Sequence, residues 1–371
     1  MKKILKRILA IVLAAAMTAG AFPAAASASG TSSTGEKKLV LEDEYISVTV
    51  SGKNGGFLID TLKGNKLDKA DDNKFLLYPA DEFDTSYTSF RITRTNGKVE
   101  DYIFGRDYGF LGWDSSDVSL AKEGNSIVAT WRVKDLTIKQ RLAIQDITAS
   151  QHGLVNISYE VVSTKEDVAD CKVRMMMDSA LGYQDYAVYQ LPNAAGDFNT
   201  VMGEVLLNND NGQAYEKTFF AVNDGMNPTV TAYSLDATVN GQKLSPYQVA
   251  FGHWNNLAST VFDFVPDQTL NFTSAYNEKY MTADSAFALY FDLGALEKDV
   301  TSSVGTYYGV YSNSTVDDTE RVAINFSVMP SSMELNETKD AYIGQVEGGR
   351  PGDIELQMLI ENISEKAVDD V

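Results

Sequence analysis

The sequence holds one cysteine, Cys171, and two histidines, His152 and His253, in 371 residues. One thiol closes no disulfide within a chain, so an apolar core must hold the fold. Zinc sites built on His and Cys take three or four ligands, which excludes zinc. A Ser-His-Asp triad would have to use His152 or His253, and no G-x-S-x-G elbow supplies its serine. Prolines number only 8 and glycines 27, which excludes collagen-like and low-complexity classes. Basic residues are scarce as well: 31 Lys and Arg stand against 51 Asp and Glu, a net charge of −20. Such a chain repels phosphate backbones, so nucleic acid is not an expected partner.

Long apolar runs are missing beyond the N-terminus. Lys2, Lys3, Lys6 and Arg7 precede an apolar stretch from Ile8 to Phe22, and Ala26-Ser27-Ala28 supplies a small-residue cleavage site. Residues 1–28 therefore read as a secretory signal peptide. The apolar run is shorter than the roughly 20 residues a membrane span needs. The expected location is secreted or at the cell surface, with no membrane span after cleavage. No cysteine lies near the cleavage site, so a lipid anchor is not expected.

What the chain does have is apolar material, 44% of its residues, with 17 Phe, 19 Tyr and 3 Trp. That suffices for a large core and excludes disorder. Residues 29–38 are rich in Gly, Ser, Thr and Lys and read as a flexible leader. Period-2 alternation then dominates. Ile46, Val48 and Val50 alternate with polar residues, as do Ile127 to Val133, Leu136 to Ile144, Val155 to Val161, Cys171 to Met177, Val230 to Ser234, Phe287 to Phe291, Val322 to Val328 and Ile354 to Ile360. Each reads as a strand with one apolar and one wet face. Lys53-Asn54-Gly55-Gly56, Thr95-Asn96-Gly97-Lys98, Lys122-Glu123-Gly124-Asn125, Asn209-Asp210-Asn211-Gly212 and Val239-Asn240-Gly241-Gln242 read as turns. No helical stripe of twelve residues appears after residue 28. The fold class is all-β, a large two-sheet antiparallel sandwich over residues 39–312. A polar acidic stretch from Ser312 to Thr319 opens a second region, 313–371. It reads as a partial immunoglobulin-like module, with completion of the first domain as the alternative.

Three stretches carry a family resemblance: Val173-Arg174-Met175-Met176-Met177-Asp178-Ser179-Ala180-Leu181-Gly182, running on to Asp185; His253-Trp254-Asn255-Asn256-Leu257-Ala258-Ser259-Thr260; and Thr282-Ala283-Asp284-Ser285-Ala286-Phe287-Ala288-Leu289-Tyr290-Phe291, followed by Thr306-Tyr307-Tyr308-Gly309-Val310. In this order they resemble the N-terminal large β-domain of modular surface proteins from Gram-positive bacteria. That domain is a supersandwich similar to galactose mutarotase-like domains, placed before immunoglobulin-like or other adhesin modules. The resemblance covers roughly residues 40 to 312 and implies architecture and surface location more than chemistry. No sorting signal, apolar tail or basic end follows, so wall attachment is not expected from these residues.

Candidate site residues follow from side-chain chemistry. His253, Trp254, Asn255 and Asn256 place imidazole, indole and amides together, groups that could stack on and bond to a sugar ring; a strand end where Trp254 packs in the core is the alternative. Trp113, Tyr183 and Tyr186 lie in aromatic, Gly-interrupted runs and are further ligand-binding candidates, with closure of the sandwich ends as the alternative. No catalytic residue is assigned. His253 is the one candidate acid, and Glu204 and Glu278 are candidate bases by type alone. No cofactor is expected; the one metal candidate is calcium at Asp178 and Asp185, against a capping role for Asp178. Asp284 reads as a hydrogen-bond acceptor at a strand start, Cys171 as a buried thiol and His152 as a loop residue. The leading expectation is a non-catalytic exported module that binds a glycan or protein partner, or spaces other modules. A mutarotase-, epimerase- or lyase-like enzyme and a purely structural envelope component are the alternatives.

Overall fold

The computed structural model describes residues 38–64, 69–109, 112–115, 118–145, 153–192, 198–208, 218–225, 228–239, 242–243, 245–277 and 279–311, together with strands at 322–328, 333–335, 342–344 and 357–362. The expected signal peptide, the leader before Lys38, His152, Glu278 and the Asn209–Gly212 turn lie outside the described residues.

Strands β1 (Lys38–Glu42), β2 (Ile46–Ser51) and β3 (Phe57–Thr61) form a three-stranded antiparallel sheet. The hairpin β4 (Tyr87–Arg94) and β5 (Val99–Ile103) precedes the short pair β6 (Arg106–Gly109) and β7 (Gly112–Ser115). A meander follows: β8 (Ser119–Glu123), β9 (Ser126–Val133), β10 (Leu136–Gln145) and β11 (Leu154–Ser163). Next come β12 (Val168–Ser179), β13 (Val188–Pro192), β14 (Phe198–Val201) and β15 (Val205–Asn208). They are followed by β16 (Phe219–Val222), β17 (Thr231–Asp236) and the small pair β18 (Thr238–Val239) and β19 (Gln242–Lys243). β20 (Gln248–Gly252) runs into a one-turn helix, α1 (Trp254–Leu257), and β21 (Ser285–Leu296) and β22 (Thr301–Val310) complete the sheets. Nine strands pair in the order β14-β13-β16-β17-β22-β11-β10-β9-β8, and six in the order β15-β20-β21-β12-β4-β5.

The chain is therefore all-β with large antiparallel sheets, as the alternation requires. The turns at Lys53–Gly56, Thr95–Lys98 and Lys122–Asn125 join β2 to β3, β4 to β5 and β8 to β9. In region 313–371, β23 (Val322–Val328) pairs with β26 (Gln357–Asn362), and β24 (Met333–Leu335) with β25 (Tyr342–Gly344).

The two large sheets pack face to face, as aromatic pairs across them show. Phe90 on β4 meets Tyr159 on β11 at 5.6 Å between ring centroids, and Phe251 on β20 meets Tyr189 on β13 at 4.6 Å. Phe287 on β21 meets Tyr308 on β22 at 5.4 Å. The three-stranded sheet adds Ile46, Val48, Val50, Phe57 and Ile59 to the same core. Cys171 is buried in it, and burial pushes its thiol well above the ordinary value. Gly55 sits at φ +69°, where a Cβ would collide with the Phe104 ring. Its carbonyl accepts from Gln140 Nε2 at 2.7 Å, while the Gln140 amide oxygen accepts from Tyr159 Oη at 2.6 Å. The one polar residue in the inward row of β10 is thus satisfied on both sides.

One expectation changes. Strands β12 and β21 are not wet on their second face, and neither is β20 beside them. Cys171, Val173, Met175 and Met177 point into the main core, while Met176, Ala250, Ala286, Ala288 and Tyr290 form a second cluster with Leu257, Phe262 and Phe264. The small side chains of Ala250, Ala286 and Ala288 let the segment after β20 lie close against the sheet. Arg174, with no exposed surface, also points there. Its Nη2 donates to the Leu257 carbonyl at 2.8 Å and its Nη1 to the Val261 carbonyl at 3.2 Å. The guanidinium thereby satisfies the last carbonyl of the one-turn helix, at Leu257, and one carbonyl of the segment that follows it, at Val261.

Candidate functional site

Five strands of the six-stranded sheet bring polar groups to one end. Glu204 precedes β15, His253 follows β20, Asp284 precedes β21, Asp178 lies near the end of β12, and Thr85 precedes β4. Register explains the convergence: Ser179 on β12 pairs with Ser285 on β21, Ala286 with Gly252 on β20, and Phe251 with Val205 on β15.

His253 is fully buried and caps α1: its Nδ1 accepts the Asn255 backbone N–H at 3.2 Å. Its Nε2 lies 3.1 Å from the Thr282 carbonyl oxygen, which only accepts, so the proton sits on Nε2. The ring stacks against Tyr280 at 4.3 Å. Glu204, 4% exposed, bonds not to the imidazole but to the backbone N–H of His253 at 3.1 Å, with Asn256 Nδ2 at 2.6 Å and the Asp267 N–H at 2.7 Å completing its shell. Burial raises the Glu204 carboxyl above its usual range, and these hydrogen bonds oppose that rise. Trp254 is half-buried over the second cluster, and its Nε1 donates to the Thr85 carbonyl at 2.9 Å. Asn255 is half-buried in α1. The four residues His253 to Asn256 thus sit together on the element that covers the sheet, with three of their side chains bonded inward.

Asp178, Asp185 and Asp284 also come together, one oxygen of each within 4.8 Å of the others. Asp178 and Asp284 are 1% and 2% exposed, and Asp185 is half-buried. Along the chain only Asp178 and Asp185 are neighbours; Asp284 joins them through the β12–β21 register. Three carboxylates are a donor set suited to a hard cation.

The loop carrying Asp185 also carries two of the aromatic candidates. Tyr183 is 93% exposed, with Lys74 Nζ over its ring at 5.3 Å. Tyr186 is half-buried and accepts from Gln184 Nε2 at 3.0 Å. Tyr189, beyond them, is a core residue bonded to Ser179 and Ser285. Trp113 lies on β7 opposite Tyr108, and its side chain is outside the described part. Tyr102 and Phe104, from the same aromatic run, are buried against Trp131. The loop before β21 adds Tyr276, 95% exposed, in the sequence one tyrosine of a polar segment.

No family model and no curated protein matches the chain. Solved structures do. An Escherichia coli K12 protein provisionally named an aldose 1-epimerase is 10% identical, with 75% of this chain and 100% of that one covered and a TM-score of 0.42. A galactose mutarotase related enzyme from Lactobacillus acidophilus is 8% identical, with 75% and 99% covered and a TM-score of 0.41. A polysaccharide lyase is 10% identical, with 87% of this chain but 43% of that one covered and a TM-score of 0.40. Likenesses of this order do not say what this chain binds or does. No described helix is long and apolar enough to cross a membrane.

Proposed function

We propose that this chain is an exported β-sandwich module, of the kind found in Gram-positive surface proteins, that binds a carbohydrate without acting on it. The observation that carries the reading is the pair Tyr183 and Tyr276. Both rings are almost wholly exposed, and they stand on loops that leave the same end of the paired strands β12 and β21. Flat aromatic faces beside polar groups such as Gln184 and Asp185 are the chemistry that holds a sugar ring: the face stacks on C–H groups and the polar atoms bond hydroxyls. The hydrogen bonds of His253 and Glu204 favour binding over catalysis, because an acid and a base must have their atoms free to meet a substrate. Calcium at Asp178, Asp185 and Asp284 would brace the loop that carries Tyr183. The basic and apolar N-terminal run supports export.

A glycan array probed with the full chain tests the proposal, beside Tyr183→Ala and Tyr276→Ala. Retention on a defined glycan, weakened about tenfold or more in each variant, is expected for stacking contacts. No retained glycan, or wild-type retention by both variants, overturns it.

A further inference from the structure

The other end of the six-stranded sheet carries a second feature. Three turns meet there: Thr95–Gly97 between β4 and β5, Lys134–Asp135 between β9 and β10, and Thr164–Asp167 between β11 and β12. Arg94, 6% exposed, ties them together. Its Nη1 and Nη2 donate to Asp135 at 2.7 and 3.0 Å, its Nη1 to Asp167 at 2.8 Å and its Nε to Glu100 at 2.9 Å. The Asp135 carbonyl accepts the Thr164 N–H, and the Asp167 carbonyl accepts the Thr95 N–H. Above this base lies a concavity of about 580 Å³, within the size range of small-molecule sites.

Its rim carries three exposed lysines and one exposed carboxylate, Asp167. Lys98 and Lys134 converge on one oxygen of Glu100, at 3.0 and 2.6 Å, and Lys165 Nζ stands 3.9 Å from Asp135. The three lysine side chains are 64%, 54% and 62% exposed. All three acidic groups of the concavity already bond Arg94, so one carboxylate of Glu100 answers three cations. An ammonium carries three N–H donors; Lys98 and Lys134 each direct one at Glu100, and Lys165 stands only within ion-pair range of Asp135. Four cations against three anions line the recess, an excess of one positive charge in a chain whose net charge is −20. A recess of one sign concentrates ligands of the other. The polar lining, which includes Asn96 and Thr164, suits a hydroxylated ligand better than an apolar one.

We infer that this recess binds an acidic carbohydrate, with Lys98, Lys134 and Lys165 receiving its carboxylate or sulfate groups. The inference concerns the opposite end of the sheet from Tyr183 and does not rest on the reading given for that loop.

Titration calorimetry of the full chain with oligogalacturonate, dextran sulfate and neutral dextran tests it and separates carboxylate from sulfate. Binding of at least one acidic probe is expected, weakened by added salt. The variant Lys98→Ala/Lys134→Asn/Lys165→Ala should bind it about tenfold or more weakly; asparagine serves at 134 because that residue has φ +53°. Asp167→Asn removes a rim carboxylate and should tighten binding, which keeps the idea testable if the triple variant does not fold. Tyr183→Ala should leave it unchanged. Failure of both acidic probes, equal binding of neutral dextran, wild-type affinity in a folded triple variant, unchanged or weaker binding in Asp167→Asn, or loss of binding in Tyr183→Ala overturns the inference.

Discussion

Arg94 and Asp135 form a two-pronged buried ion pair, Nη1 to Oδ2 at 2.7 Å and Nη2 to Oδ1 at 3.0 Å, that joins a turn of the six-stranded sheet to a turn of the nine-stranded one. Their side chains are 7% and 5% exposed. Removing one member strands the other charge in the interior. Arg94→Ala is expected to cost about 3–5 kcal/mol in urea unfolding. The apolar pair Arg94→Met with Asp135→Leu should recover much of that loss, because neither charge is then left buried. A single variant with wild-type stability would contradict the geometry.

His253 makes a second prediction. Losing the cap and the buried ring together, His253→Ala should lower stability by about 2–4 kcal/mol. His253→Asn keeps an acceptor for the Asn255 N–H and should recover about 1 kcal/mol of it. Equal melting temperatures for the two variants would remove the capping role.

Asp60, on β3, gives a pH dependence. Burial pushes its carboxyl up to about 7 from the ordinary 3.8. The folded state therefore holds a proton between about pH 4 and 7 that the unfolded chain gives up, so stability falls as pH rises through that window. Asp60→Asn should flatten this slope and stabilise the protein at pH 8. Glu100 acts in a lower window with the opposite sign. Its carboxyl is buried, yet hydrogen bonds from Lys134, Lys98 and Arg94 overcome that burial and hold it down to about 2. The stability it contributes is present above about pH 4.5 and is lost as pH falls toward 2. Melting temperatures from pH 2 to 8 separate the two.

Calcium is the test for the three aspartates. A cation that binds the folded state raises the melting temperature with its concentration. Millimolar calcium chloride should raise that of the wild type by about 2 °C or more, and of Asp185→Asn by less. No shift in the wild type leaves Asp178, Asp185 and Asp284 with a structural role alone.

The sandwich was legible because alternation is a local signal. Leu136 to Ile144 and Val155 to Val161 read as strands from their own side chains, and they are β10 and β11. The double burial of β12 was not legible. Met176 and Arg174 look like residues of a wet face until a segment 80 residues on covers them, and nothing near them in the chain announces that cover. The grouping of His253 with Trp254, Asn255 and Asn256 was visible in the chain, but the direction of their polar atoms was not. Arg94 drew no notice, for its partners at 135 and 167 belong to other hairpins.

Antiparallel strands around a core free of disulfides follow from side-chain period and cysteine count, which are properties of the chain alone. Which strands pair, and so which charges meet, is set by the folded packing instead. Register and sheet order set Asp284 beside Asp178 and Arg94 beside Asp135, and those neighbours are chosen by packing between distant segments rather than by the residues on either side.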